Sequence, residues 1–168
     1  MTLRMRIGIG YDIHRFDGKR RPLRLGGIEV PSARGLAGHS DADVLLHAVA
    51  DALFGAVGAP DIGEQFPPGD PAWKGADSRR FVAAAIAAIR RRGWTVGNLD
   101  ATVIADAPKL SGYKARMAQA ISRLLVVAPT RVSVKAKTTE AFCPGRGGIA
   151  AHVVVLLEPR ARTRRSAR

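Results

Sequence analysis

The chain has a single cysteine, Cys143, among its 168 residues. That excludes an intramolecular disulfide framework and fits a reducing, cytoplasmic setting. Aromatic residues make up only 5%, too few to supply the stacking platforms on which single-stranded nucleic acids are held. Long apolar runs are also missing. No stretch approaches the ~20 residues of a membrane span, and "MTLRMRIGIG" lacks the apolar segment of a signal peptide. A soluble protein is expected. Acidic residues are scarce, 14 against 27 Lys and Arg, for a formal charge of +13. Much of that excess sits at one end: "RARTRRSAR" carries Arg160, Arg162, Arg164, Arg165 and Arg168, and without them the charge falls to +8. Such a run reads as a solvated tail, and the remaining excess suits an anionic small molecule as well as a polymer.

What is present is enough for one core. With 46% hydrophobic residues over this length, a single domain over 1–159 is expected, followed by a basic, disordered tail over 160–168. Residues 5–13 alternate as a strand, and "LRLGGIEVP" reads as a small hairpin turning at Gly26 and Gly27. "HSDADVLLHAVADALFG" reads as a helix with Ser40 as N-cap, Asp43 three residues on, and Gly55 as the stop. Residues 56–77 are crowded with Gly and Pro and show no period, so a long loop is expected there.

"DSRRFVAAAIAAIRRRG" predicts a helix ending at Gly93, its Arg90, Arg91 and Arg92 decorating the C-terminus. "WTVGNLDATVIAD" predicts a strand, and "SGYKARMAQAISRLLVV" a helix with Tyr113, Met117, Ala120, Ile121 and Leu124 inward. Two more strands follow, "TRVSVKAKT" and "IAAHVVVLLE". Alternating strands and helices argue for an α/β (α+β) fold, a mixed sheet covered on one face by helices with the hairpin as an N-terminal addition.

The chemistry begins in "GIGYDIHRF". Residues i and i+2 of a strand point to one side, so Asp12 and His14 present a carboxylate and an imidazole together. The plain alternative is a solvated strand end. On the following helix Asp43, His47 and Asp51 stand at i, i+4 and i+8, within an arc of roughly 80°. Asp12, His14 and His47 together make a three-ligand set that leaves one position of a zinc ion open, with Asp43 or Asp51 placed to orient the His47 ring. "GIGYDIHRF" also opens with G-x-G, but neither a third glycine nor a following helix supports a dinucleotide site. His152 is an isolated strand histidine, Cys143 has no histidine near it in sequence, and Trp73 and Trp94 read as packing residues.

"GYDIHRF", "GLAGHSDADVLLHAVADALFGA", "DIGEQFP", "DPAWKGADS", "DATVIADAPKL" and "VKAKTTE" together resemble the 2-C-methyl-D-erythritol 2,4-cyclodiphosphate synthase family, from about Arg6 to Leu157. The resemblance implies that Asp12, His14 and His47 ligate zinc, with substrate also met along Asp12, Ile13 and His14. It makes His39 and Thr138 the residues that stabilise the transition state, and Ser40 a substrate contact beside His39. Asp61, Ile62 and Gly63, then Phe66, Pro67, Pro68, Gly69 and Asp70, match a loop covering the methylerythritol phosphate. Ala105, Asp106, Ala107, Pro108, Lys109, Leu110 and Ser111 match a cytidine diphosphate pocket.

Lys137, Thr138, Thr139 and Glu140 match a phosphate-facing segment in which Glu140 ligates a second divalent ion, Mg2+ or Mn2+, and Arg146 matches an arginine facing phosphate. The implied reaction converts 4-diphosphocytidyl-2-C-methyl-D-erythritol 2-phosphate to the 2,4-cyclodiphosphate with release of CMP. The implied assembly is a homotrimer with active sites at subunit boundaries and with neither nucleic acid nor membrane as partner. Lys137 stands where the family usually has Thr, Pro68 where Asp is frequent, and the loop after Glu140 is shortened. From the residues alone, a zinc phosphoesterase and a basic RNA-binding module are the alternatives.

Overall fold

The computed structural model describes residues 4–18, 21–140 and 147–160. Among the described residues six strands and four α-helices run in the order β1 (Arg6–Arg15), β2 (Leu23–Leu25), β3 (Ile28–Val30), α1 (Val44–Ala56), α2 (Ile62–Gln65), α3 (Arg79–Arg91), β4 (Trp94–Ile104), α4 (Lys114–Leu125), β5 (Val132–Lys137) and β6 (Gly148–Pro159). Four strands form one sheet in the order β1-β6-β4-β5. β6 is antiparallel to both β1 and β4, while β4 and β5 are parallel, so the sheet is mixed, as expected. β2 and β3 make the separate hairpin. Gly26 and Gly27 take φ of 62° and 79° in its two-residue turn, a left-handed geometry that glycine enters without a Cβ clash.

The strand β1 is inverted relative to an ordinary amphipathic strand. Its apolar side chains Ile7, Ile9, Tyr11 and Ile13 point away from the helices and are exposed, and the helix-facing positions are Gly8, Gly10, Asp12 and His14. The cause is the approach of α1. A Cβ on Gly8 would stand 1.9 Å from the Ala52 carbonyl oxygen, and one on Gly10 would stand 1.9 Å from that of Ala48. Two glycines let a helix backbone rest on the strand, and the same alternation turns Asp12 and His14 toward that helix.

Helix α1 is buried along Leu45, Leu46, Ala48, Val49, Ala52 and Leu53, and it packs on β1, β6 and α3. It begins at Val44, later than the serine cap predicted from the sequence. Ala42 lies at φ 60°, outside helical geometry, and Asp43 takes over the cap by accepting from the Leu46 N–H at 3.0 Å. The same carboxylate accepts from the Gly26 and Gly27 N–H groups at 2.8 and 2.7 Å, tying the hairpin to the start of the helix. Gly55 lies inside the helix. The turn beyond it is closed by Val57, and Gly58 takes the positive φ of 64°.

The stretch 56–77 is also more ordered than its composition predicts. It holds α2, capped by Asp61, and a single 3-10 turn at Pro71–Trp73, capped by Asp70. These are local carboxylate-to-backbone bonds that create one turn at a time, too short for any period to register. Helix α3 stops as predicted, with Arg90 and Arg91 in its last turn and Gly93 at φ 80°. In α4 the buried face is Met117, Ile121, Ser122 and Leu125, rotated from the predicted stripe, so Ala120 and Leu124 are only half-buried. Among the described residues no helix is long and apolar enough to cross a membrane.

Candidate active site

Three side chains from two elements converge where β1 ends against α1. Asp12 Oδ2 lies 2.9 Å from His14 Nε2 and 2.9 Å from His47 Nδ1, and the two nitrogens are 3.3 Å apart. Bonds of about 2.0–2.1 Å to one tetrahedral ion space its ligand atoms about 3.4 Å apart, so this triangle fits zinc with a slight contraction and leaves a fourth position open. Among the described residues it is the one cluster of three such side chains with metal-ligand spacing.

The donor chemistry points the same way. His14 Nδ1 is hydrogen-bonded to the Ala37 carbonyl, which can only accept, so its Nε2 is left bare toward Asp12. The second Asp12 oxygen accepts from the Ile13 N–H at 2.8 Å. Lone pairs turned toward one another at this range repel, and a cation or added protons must neutralise them. In the metal-free chain protons do so. Burial works against it, but the hydrogen bonds and charges of His14 and His47 hold the Asp12 carboxyl well below the usual carboxylate range. Burial likewise lowers His14, and the Asp12 side chain and Ala37 carbonyl outweigh it, raising the imidazole above its ordinary value.

The two carboxylates that the sequence places beside His47 have other work. Asp43 is fully buried in its cap and hairpin bonds, and burial pushes its carboxyl up against their pull. Asp51 accepts from the Ile62 N–H at 2.8 Å, fixing the start of α2, and burial pushes it up as well. The groups facing His47 Nε2 are instead Ser40 Oγ at 3.0 Å and Ser78 Oγ at 2.9 Å. Neither aspartate at helical spacing reaches the ring, because both are spent on backbone N–H groups nearer to hand.

Beyond the triangle opens a cleft of about 210 Å³ lined by His14, His39, Ser40 and His47 on one side and Ile62, Gly63, Phe66, Pro68, Trp73 and Phe81 on the other. His14 and His47 therefore meet Ile62, Gly63, Phe66 and Pro68 of the predicted loop. The Gly75 N–H donates to the His39 carbonyl at 2.7 Å, fastening the loop to the segment that carries His39. Asp61 and Asp70 cap the loop's two short turns, and neither lines the cleft. Trp73, read from the sequence as packing, lines the cleft edge-on to Phe66 at 4.9 Å between ring centres. Nothing in the sequence pattern marks Phe81 for the site. It stands 4.7 Å from Phe66 and 5.7 Å from the His47 ring. Its position on the apolar face of α3 looks like core in the sequence, and most of it is.

The remaining predicted residues form a second group. Asp106 accepts from the Thr139 N–H and hydroxyl, each at 2.7 Å, and the Ala105 N–H donates to the Lys137 carbonyl at 2.9 Å. These bonds join the segment 105–111 after β4 to the segment 137–140 after β5. The Thr138 hydroxyl donates to Glu140, which takes a positive φ of 51°. None of these residues lines the cleft of the first group. Arg146, Cys143 and the end of the basic tail, 161–168, lie outside the described residues.

The model of the YgbB family matches residues 5–158. A 2-C-methyl-D-erythritol 2,4-cyclodiphosphate synthase of Geotalea daltonii is 51% identical over 159 residues, covering 93% of this chain and 92% of its own. The synthase of Synechococcus elongatus is 52% identical over 156 residues, 92% of this chain and 97% of its own. A solved structure of such a synthase, in a CDP-bound form, shares 37% identity, covers 91% of this chain and 100% of that one, and superposes with a TM-score of 0.84. The chain belongs to the YgbB family, the 2-C-methyl-D-erythritol 2,4-cyclodiphosphate synthases.

Proposed function

We propose that the chain carries out its family's phosphorus–oxygen lyase reaction on a zinc ion held by Asp12, His14 and His47, with a second divalent ion, Mg2+ or Mn2+, at Glu140. The observation that carries this reading is the triangle of donor atoms at 2.9, 2.9 and 3.3 Å with its open fourth position. In the reaction a 2-phosphate oxygen of 4-diphosphocytidyl-2-C-methyl-D-erythritol 2-phosphate attacks the β-phosphorus. The bond from that phosphorus to the oxygen bridging to the α-phosphate breaks, and CMP leaves. Bound cations neutralise and align these anionic partners, which is most of what phosphoryl transfer requires.

The protein's own share is positioning. His39 and Ser40 meet the phosphates at the cleft mouth, and the wall of Phe66, Trp73 and Phe81 keeps water from the methylerythritol portion. Thr138 supplies a hydroxyl to phosphate beside Glu140, whose lone carboxylate suits a magnesium ion completed by substrate oxygens. Residues 105–111 receive the cytidine diphosphate, and the family resemblance assigns Arg146 to the phosphates.

The separation of the two groups within one chain supports a site completed across a subunit boundary. So does the exposed apolar face of β1 and β6, on which Ile7 is 70%, Ile9 69%, Ile13 60% and Val154 47% exposed. A homotrimer that buries this face meets both observations. A 17.9 kDa monomer in sedimentation of active protein would overturn it.

The test of the reaction is incubation of purified protein with the substrate, with and without zinc and magnesium. CMP and the cyclic diphosphate are expected in equal amounts, without inorganic phosphate and only with metal present. Release of inorganic phosphate instead would make the open metal position that of a phosphoesterase.

A further inference from the structure

Ser78 is the N-cap residue of α3, yet its hydroxyl makes no capping bond. The side chain is fully buried. Its oxygen reaches Asp41 Oδ1, to which it donates, His47 Nε2 at 2.9 Å, and Ser40 Oγ at 3.5 Å. A hydroxyl has one proton, and a carboxylate oxygen only accepts, so that proton belongs to Asp41. The Ser78 oxygen then offers His47 lone pairs alone, and Nε2 must carry the ring proton.

Ser40 Oγ, which accepts from the Ala42 N–H at 3.1 Å, is the second acceptor around that N–H. Asp41 is itself anchored: its backbone N–H donates to the Ala76 carbonyl at 2.9 Å, on the segment that leads into Ser78.

We infer that Asp41 and Ser78 are positioning residues that hold His47 as the Nε2–H tautomer, leaving Nδ1 as its metal-binding atom. The inference rests on the metal reading above. Its physical content is the exclusion of a competitor. In the other tautomer Nδ1–H points at Asp12 Oδ2, 2.9 Å away, and the resulting hydrogen bond between two ligands occupies the position of the ion. The relay from His47 through Ser78 to Asp41 removes that proton from the metal side and polarises the remaining N–H, which makes Nδ1 more basic.

Two measurements test this. In zinc-loaded wild-type protein, 15N chemical shifts of the His47 ring are expected to show a metal-bound Nδ1 and a protonated Nε2; a metal-bound Nε2 overturns the inference and needs no variant to do so. Zinc affinity, read by competition with a chromophoric chelator, is expected to fall about 10- to 100-fold in Ser78→Ala and in Asp41→Asn and to be restored in Ser78→Thr, which keeps the hydroxyl. Affinities within about twofold of wild type in both variants also overturn it. Wild-type protein that takes up no zinc overturns the metal reading itself, so the two failures are distinct.

Discussion

The backbone of Gly10 lies so close to that of Ala48 that a Cβ on the glycine would stand 1.9 Å from the Ala48 carbonyl oxygen, one residue after His47. This contact sets the distance between the strand that carries Asp12 and His14 and the helix that carries His47. Gly10→Ala is therefore expected to push α1 off β1, destabilising the fold by about 2–3 kcal/mol and lowering zinc affinity. Urea denaturation reads the first and chelator competition the second. An alanine variant with wild-type stability and affinity would show that the contact does not position the site.

Asp43 ties three backbone N–H groups of two elements to one buried carboxylate. Asp43→Ala leaves all three without an acceptor, and a loss of about 3 kcal/mol or more is expected. Hydrogen exchange at Gly26 and Gly27 is expected to rise sharply in the variant. Unchanged protection of the hairpin turn would sink this assignment.

Metal and protons compete for the triangle. In the metal-free chain His14 titrates above its ordinary value of 6.5, so the stability of its charged pairing with Asp12 is fully present below that value and is lost as pH rises through the raised one. Asp12, held far below the usual carboxylate range, stays charged across this window. Zinc requires bare ring nitrogens, so its binding strengthens over the same rise. As pH rises from below 6.5 through the raised value, the Tm of metal-free protein is expected to fall relative to a His14→Ala variant, and the increment on adding zinc to grow. A zinc increment that shrinks as pH rises would contradict this.

Val126 closes α4 in the left-handed region, at φ 59° and ψ 47°, with 71% of its surface exposed. A β-branched residue is strained there, and little packing is lost by removing it. Val126→Gly is expected to raise stability by about 1 kcal/mol without affecting turnover. A lower denaturation midpoint would refute the strain.

Much of this was legible in the residues themselves. Alternation along "GYDIHRF" and the helical spacing of His47 are local periods, and they put three ligands on two facing surfaces before any packing is known. The Gly26-Gly27 turn, the stop at Gly93 and the order of the elements are likewise short-range consequences of backbone geometry. The cap of α1 is not legible in the sequence because its decisive feature, a carboxylate shared with a hairpin 16 residues earlier, is not local. The two short turns in 56–77 lie below the length at which periodicity can be seen.

What tertiary structure alone decided is which groups stand behind and around the ligands. Sequence spacing favoured Asp43 or Asp51 as the partner of His47, while the fold brings Ser40 and Ser78, with Asp41 behind them, to its ring. Trp73 and Phe81 became cleft walls by the same route, and the apolar face of β1 became an outer surface because two glycines gave its inner one to α1. The chain determines by itself the chemistry it can offer, since side-chain identity and local period are written into it. Which of those side chains touch depends on how closely one backbone can approach another, and that is settled only when the surfaces meet.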